Sequence, residues 1–284
     1  LVEDGKITNQ RWAKILLPTY DVFDESRYFE SGKGKEYAFV YKGHRIAMLV
    51  CEDIWNGTED ENGHKMYNRD PVRNLIDQKC DILVVINGSP YYWGKGDIRF
   101  NLVRDIATKL DSTVVYANQV GCQDELVFDG GSLGLDPKGK ILARAKQFEE
   151  DLLVVVEKKS LIAPLFDPTA EIYQALVLGT CDYVRKNGFK KVVVGLSGGI
   201  DSALVAVIAC DALGRENVIG VTMPSQFSSP ETKQDAKILA QNLGIQFIEV
   251  PIDEILNSYL SVLHPEFSKR PVDVTEENLQ ARIR

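Results

Sequence analysis

The stretch Val192–Val207, VVVGLSGGIDSALVAV, constrains this chain more than any other. An apolar run of strand character enters a serine–glycine turn and leaves it as a helix that opens on Asp201. Glycines at 198 and 199 allow positive φ and carry no Cβ, so backbone N–H groups can close around an anion. The helix start adds unpaired donors and the positive end of a dipole. The hydroxyls of Ser197 and Ser202 add further donors. The whole turn, Gly195, Leu196, Ser197, Gly198, Gly199, Ile200, Asp201 and Ser202, therefore reads as a phosphate-binding loop. Asp201 would repel a bare phosphate, a conflict that resolves if its carboxylate holds a Mg2+ bridging to the phosphates.

No lysine lies inside the loop, which separates it from the G-x-x-x-x-G-K-[ST] pattern of γ-phosphate transfer. Nor is it the G-x-G-x-x-G of a hydride-transfer dinucleotide site. The complete S-G-G-x-D-S motif resembles the pyrophosphate loop of the ATP pyrophosphatases, which activate a carboxyl or carbonyl as an adenylate. That resemblance implies cleavage of ATP to AMP and pyrophosphate.

The surrounding grammar is that of parallel βαβ units. Asp167-Pro168 is an N-cap and N1 pair for a helix running to Asn187, with Gly188 as its C-cap. Strand Lys191–Gly195, helix Asp201–Leu213 closed by Gly214, and strand Val218–Met223 follow. Ser229-Pro230 starts a helix ending at Gly244, and Gln246–Val250 is a further strand. Helix residues Ala203–Cys210 are apolar on every side, so the segment is expected under cover against the sheet.

Ahead of residue 163 the grammar differs. Apolar runs recur at Ile46–Val50, Ile82–Ile86, Thr113–Ala117, Gly131–Leu135 and Leu152–Val156, separated by turn-rich segments such as Asn56–Gly63 and Asp136–Gly139. One helix, about Asp97–Leu110, precedes the Thr113 strand. Many strands with few helices predict a layered α/β or sandwich-like domain over 1–163, with a second domain over 164–284. At 284 residues the chain can bury two ordinary cores. No apolar run approaches a bilayer span. A net charge of −8 argues against a general nucleic-acid binder. The five cysteines are odd in number and form no C-x-x-C, so a disulfide framework and a zinc cluster are not expected, and a reducing cytoplasm fits best. The three histidines, His44, His64 and His264, are near no plausible nucleophile in sequence.

Cys51 ends the run Ile46–Val50 and is followed by Glu52 and Asp53. Two adjoining carboxylates would raise a thiol pKa, so a nucleophile here needs a compensating cation and a base. Lys14, within AKILLPTYDVFDESRYF, is the candidate cation, able to stabilise both thiolate and oxyanion. The alternative is a buried strand cysteine.

KILLP-x-Y-DVFDE-x-RYF, followed by CEDIW, resembles the glutaminase domain of the glutamine-dependent NAD+ synthetase family, which has a nitrilase fold. NGSPYYWGK (Asn87–Lys95) and NQVGCQDELVFDGGS (Asn118–Ser132) are similar to the same family, and the likeness covers nearly the whole chain. The resemblance implies a partial nitrilase-like α/β sandwich followed by the first part of a Rossmann-like parallel-sheet ATP pyrophosphatase domain. By that likeness Cys51 is the nucleophile, Lys14 the lysine of a Glu-Lys-Cys triad, and Tyr20, Ser89 and Lys95 bind L-glutamine. ENLQARIR (Glu277–Arg284) resembles the helix contacting the dinucleotide, which would place Asn278 and Arg282 on deamido-NAD+. The family's triad glutamate belongs to a segment preceding Leu1, and Glu3 is a poor substitute. The chain is therefore expected to be a piece of a longer protein, cut at both ends.

The joint expectation is an amidotransferase that takes ammonia from glutamine and amidates deamido-NAD+ through an adenylate, using ATP and Mg2+. The resemblance also implies an ammonia channel and a homo-oligomer. The competing expectations are a stand-alone nitrilase or carbamoylase with a fused nucleotide-binding module, another amidating ligase, a tRNA-thiolating enzyme, and an inactive structural fragment.

Overall fold

The computed structural model describes residues 2–3, 5–7, 11–20, 22–33, 38–56, 66–156, 161–267, 270–271 and 273–284. His64 and most of the Asn56–Gly63 turn lie outside the described residues. The chain divides into two compact units, Leu1–Ala175 and Leu176–Arg284.

The first unit opens with a small hairpin, β1 (Val2–Glu3) and β2 (Lys6–Ile7). Its core is one six-stranded sheet. The central strands β4 (His44–Val50), β5 (Ile82–Asn87) and β6 (Thr113–Asn118) are parallel. Antiparallel β3 (Ala38–Tyr41) flanks them on one side. After the β7–β8 hairpin (Val120–Gln123 and Leu126–Asp129), β9 (Leu133–Leu135) and β10 (Ile141–Arg144) extend the other side. Parallel neighbours require crossovers, here made by α1 (Pro71–Ile76) and α2 (Lys95–Leu110). Leu49, Leu75, Leu83, Val85, Val103, Val114 and Leu135 are buried in one cluster beneath these helices. Each such side chain contributes about 1.5–3 kcal/mol relative to exposure.

Two expected strands differ. The Gly131–Leu135 run pairs only from Leu133, because Gly130 and Gly131 adopt φ of 66° and 61° and turn the chain out of the ladder. Leu152–Val156 forms no strand among the described residues. Leu152 is 91% and Val154 65% exposed, so alternation there has no ladder to join.

The second unit is a three-stranded parallel sheet in the order β11 (Val192–Gly195), β12 (Val218–Thr222), β13 (Gln246–Glu249). The caps fall where their residues predict. Asp167 Oδ1 accepts from the N–H groups of Thr169 and Ala170 to start α3 (Pro168–Lys186). Ser229 caps α5 (Pro230–Leu243), which ends on left-handed Gly244. Helix α4 (Ile200–Leu213) packs Ala206 and Ala209 against the sheet, but Leu204 and Val205 are about half exposed. The expected all-round cover of this helix is therefore corrected: only one face is buried. Helices α6 (Asp253–Phe267) and α7 (Val274–Ile283) complete the unit. Among the described residues no helix is long and apolar enough to cross a membrane.

Candidate active site

The first unit carries an open cleft of about 1510 Å3 whose lining includes Lys14, Tyr20, Glu25, Cys51, Glu52, Ser89 and Lys95. All five residues singled out for glutamine chemistry thus face one space. Cys51 leaves β4 directly into a 3-10 turn, Cys51–Ile54, with φ of 46°. A left-handed backbone at a side chain with a Cβ costs of order 1–3 kcal/mol and persists only where the surroundings enforce it. Asp53 supplies that enforcement. It is 1% exposed, and its carboxylate accepts from the N–H groups of Ile15, Leu16 and Val50 at 2.8, 2.9 and 3.0 Å. One side chain therefore ties the segment after Lys14 to the cysteine turn.

Burial pushes the Cys51 thiol above its ordinary pKa, the N–H of Gly88 and Lys14 act against this, and Glu52 and Glu25 add to it. Of the two carboxylates following Cys51, only Glu52 acts on the thiol in this way, because Asp53 is directed into backbone amides. Glu52 is buried and accepts from the hydroxyls of Tyr67 at 2.7 Å and Tyr20 at 3.0 Å. Tyr67 is pushed up by its own burial and by the Glu52 it bonds.

Lys14 Nζ is bound by both oxygens of Glu25, at 2.6 and 2.5 Å. Sequence reasoning gave Glu25 no role. Among Asp21, Asp24 and Glu25 of DVFDE, nothing local says which carboxylate turns inward. The side chain of Glu3 lies outside the described residues.

Ser89 is buried, and its N–H donates to Asn118 Oδ1 at 3.0 Å. Lys95 is the first residue of α2 and lies over the Trp55 and Tyr92 rings at 5.7 and 4.9 Å. A cation at a helix start opposes the dipole. Burial first, then Arg99, pull the Lys95 ammonium below its ordinary pKa, while Cys51, Glu52 and Asp129 pull it upward. Its environment is a partly desolvated aromatic corner, unlike a solvated loop charge.

In the second unit the glycine loop joins β11 to α4. Gly198 adopts φ of 84°, and a Cβ there would stand 2.2 Å from the carbonyl oxygen of Thr232. Gly199 has φ of −91°, so positive φ is needed at one of the two glycines only. Ser202 Oγ accepts from the Ser197 N–H, Ser197 Oγ accepts from the Gly199 N–H, and the two hydroxyls are 3.1 Å apart. The loop is therefore pre-folded by its own serines. A cavity of about 180 Å3 beside it is lined by Gly195, Leu196 and Ser197 from the loop, and by Thr222, Thr232, Lys233 and Arg284 from elsewhere. Gly198, Gly199, Ile200, Asp201 and Ser202 are not among its lining residues. Lys233, in the first turn of α5, supplies the cation absent from the loop itself. Asn278 and Arg282 are exposed on α7 and do not line this cavity. The α7 residue that docks is Gln280, whose Oε1 accepts from the buried Ser225 hydroxyl at 2.6 Å.

Residues 1–163 match the sequence profile of the carbon–nitrogen hydrolases. The chain belongs to the carbon–nitrogen hydrolase family. Residues 172–284 match the NAD synthase profile. The whole chain is similar to the glutamine-dependent NAD(+) synthetase of Synechocystis sp., at 46% identity over 100% of this chain and 52% of the relative. The Aquifex aeolicus synthetase is 42% identical over 96% of this chain and 53% of the relative. A solved glutamine-dependent NAD+ synthetase from Acinetobacter baumannii, in complex with ADP, superposes with a TM-score of 0.87 at 41% identity, covering 100% of this chain and 52% of that one. The chain spans about half the length of the relatives it matches. The likeness read from CEDIW, NGSPYYWGK and SGGIDS agrees with both profiles.

Proposed function

We propose that this chain is part of a glutamine-dependent NAD+ synthetase, with a division near residue 163 between the glutaminase and the synthetase portions. The observation that supports this reading most is the meeting of Cys51, Lys14, Tyr20, Ser89 and Lys95 in one cleft, next to a second unit with a pre-folded glycine loop in sequence. The Cys51 thiolate attacks the side-chain amide carbon of L-glutamine. The amide nitrogen leaves as ammonia with a proton, and water then cleaves the thioester to give glutamate. Lys14 and the Gly88 N–H stand where a developing negative charge on sulfur or oxygen would be stabilised. Lys95 and Glu52 offer opposite charges to the carboxylate and ammonium of a zwitterionic amino acid.

In the second unit the carboxylate of deamido-NAD+ attacks the α-phosphorus of ATP, pyrophosphate departs, and ammonia displaces AMP to form NAD+. Adenylation is needed because a carboxylate is a poor electrophile. The N-terminal turn of α4 and Lys233 are suited to the anionic pyrophosphate. Mg2+ fits a site of this kind: it keeps several waters and needs one or two carboxylates beside phosphate oxygens, and Asp201 presents one exposed carboxylate in the first turn of α4. Bound there, it would neutralise phosphate charge. Asn278 and Arg282, one helical turn apart and exposed, are available to the dinucleotide. An odd number of cysteines with no C-x-x-C suits a reducing, cytoplasmic location, and the relatives' likeness suggests a homo-oligomer.

The test is to incubate full-length protein with ATP, Mg2+, glutamine and deamido-NAD+. AMP and NAD+ appearing in equal amounts supports the reading. Amide hydrolysis indifferent to ATP, with no AMP, would instead favour a stand-alone amidohydrolase. Asp201→Ala should abolish AMP formation with either glutamine or ammonia and weaken Mg2+ retention measured by calorimetry with ATP present; unchanged AMP yield removes Asp201 from the metal role.

A further inference from the structure

Lys95 and Arg99 lie one turn apart at the start of α2, the positive end of the helix dipole. Two cations so placed repel each other and the dipole, and both are withdrawn from water. Arg99 is 4% exposed, so its charge can be held only by a partner. That partner is Asp129, the last residue of β8, 2% exposed, whose Oδ2 accepts from Arg99 Nη2 at 2.5 Å. Among the described residues its other oxygen, Oδ1, has no hydrogen bond. The buried Tyr116 also helps to hold the Arg99 charge, after Asp129. Asp129 is fixed because Gly130 and Gly131 turn sharply after it and its carbonyl accepts the Phe148 N–H at 2.8 Å.

We propose that Asp129 is a positioning residue for the glutamine pocket: by neutralising Arg99 it frees Lys95, one turn earlier, to act as the cation that receives the substrate's carboxylate. The inference rests on the glutamine reading of the cleft. Groups facing Lys95 are Cys51 and Glu52 from the cysteine turn, the rings of Trp55 and Tyr92, and Arg99 with Asp129 behind it. Of these, Arg99 alone is a cation, and Asp129 is its ion-pair partner. Burial works against the Arg99 charge, and Asp129 overrides it, holding the guanidinium above its ordinary value. Without Asp129 the guanidinium keeps its charge, since its pKa has far to fall. The weaker ammonium of Lys95 yields instead.

The test compares wild type, Asp129→Asn, Arg99→Met and Arg99→Met/Asp129→Leu in the full-length protein. Glutamate release from glutamine is followed from neutral to alkaline pH, with ammonia-driven NAD+ formation as a check on folding of the remainder. Asp129→Asn should raise the glutamine KM about tenfold at alkaline pH, the loss of one charged hydrogen bond to the substrate carboxylate, with kcat changed much less. The pH at which KM begins to climb should move down. Arg99→Met should move that pH up, the opposite sign, and serves if Asp129→Asn does not fold. The double variant, which replaces a buried pair by apolar side chains, should fall back toward the wild-type KM. A double variant as impaired as Asp129→Asn, a loss confined to kcat, or shifts of the same sign in both single variants would each overturn the proposal. Absence of glutamate release by the wild type would overturn the glutamine reading itself, a separate outcome.

Discussion

Gly198→Ala isolates what the glycine loop requires. Gly198 has φ of 84°, and an L residue there pays about 1–2 kcal/mol in backbone strain. The larger effect is steric. The new Cβ would lie 2.2 Å from the Thr232 carbonyl oxygen and 2.9 Å from its carbonyl carbon and Cα, against a floor of 3.0 Å for real contacts. The loop and the first turn of α5 must therefore part by about 0.8 Å, and since every clashing atom is backbone, no side-chain rotation relieves it. Lys233 adjoins Thr232 and lines the same cavity as Ser197, so the shift moves a cavity-lining cation relative to the loop. Misplacement near 1 Å at a reacting centre can cost on the order of 100-fold. The assay is ammonia-driven AMP formation by full-length protein, which bypasses the cysteine site. Gly199→Ala is the control: φ there is −91°, and its Cβ would meet only Ser197 Oγ at 3.4 Å. We expect a loss on the order of 100-fold for Gly198→Ala and under about tenfold for Gly199→Ala. Wild-type AMP formation by Gly198→Ala, or equal losses in the two variants, would refute the reasoning.

Three further outcomes follow from the first unit. Cys51→Ala should abolish glutamine-driven NAD+ synthesis while ammonia-driven synthesis largely persists; loss of both together would count against separable sites. Asp53→Ala strips an acceptor from three backbone N–H groups and should destabilise the protein by about 3 kcal/mol, seen as a lowered urea midpoint; an unchanged midpoint would mean the three amides find other partners. The pH profile of glutamate release should climb above neutrality as Cys51, raised by burial, gives up its proton, then fall as Lys95, lowered by burial and Arg99, loses its own. A profile flat through this range would show that neither group limits the reaction.

What was legible in the sequence is what local chemistry decides. Asp167-Pro168, Ser229-Pro230 and Gly244 mark helix ends because a cap is satisfied within three residues of itself. The S-G-G-x-D-S turn is legible for the same reason, its serines bonding within the loop. The lack of a strand at Leu152–Val156 is not legible, because an apolar run reports a preference for a pleated surface and cannot report whether a neighbouring strand is present. The exposed face of α4 is not legible, because apolarity on every side tells nothing of which sides meet the sheet. Glu25 and Lys233 escaped notice because each acquires its role from a residue on another segment: Lys14 eleven positions earlier, and the loop more than thirty positions before Lys233. The family likeness supplied Tyr20, Ser89 and Lys95 as a set; no spacing rule joins them.

The same division between local geometry and distant charge runs through both sites. Cys51 owes its strained φ to a turn tied by Asp53, while the cations near it, Lys14 and Lys95, come from other segments. The glycine loop owes its shape to Ser197 and Ser202, while Lys233 and Arg284 come from α5 and the residue after α7. A backbone that must place reacting atoms has little freedom to carry a long charged side chain as well, because glycine and serine are chosen there for what they leave open. Two of these cations, Lys95 and Lys233, sit at helix starts, against the dipole, and at α2 the buried Asp129 offsets the charge of Arg99 one turn on. It follows that changes within either turn, and at Lys14 beside the sulfur, should act on kcat, where position in the transition state is read, whereas changes to Lys95 should act first on KM, where an anion is merely held.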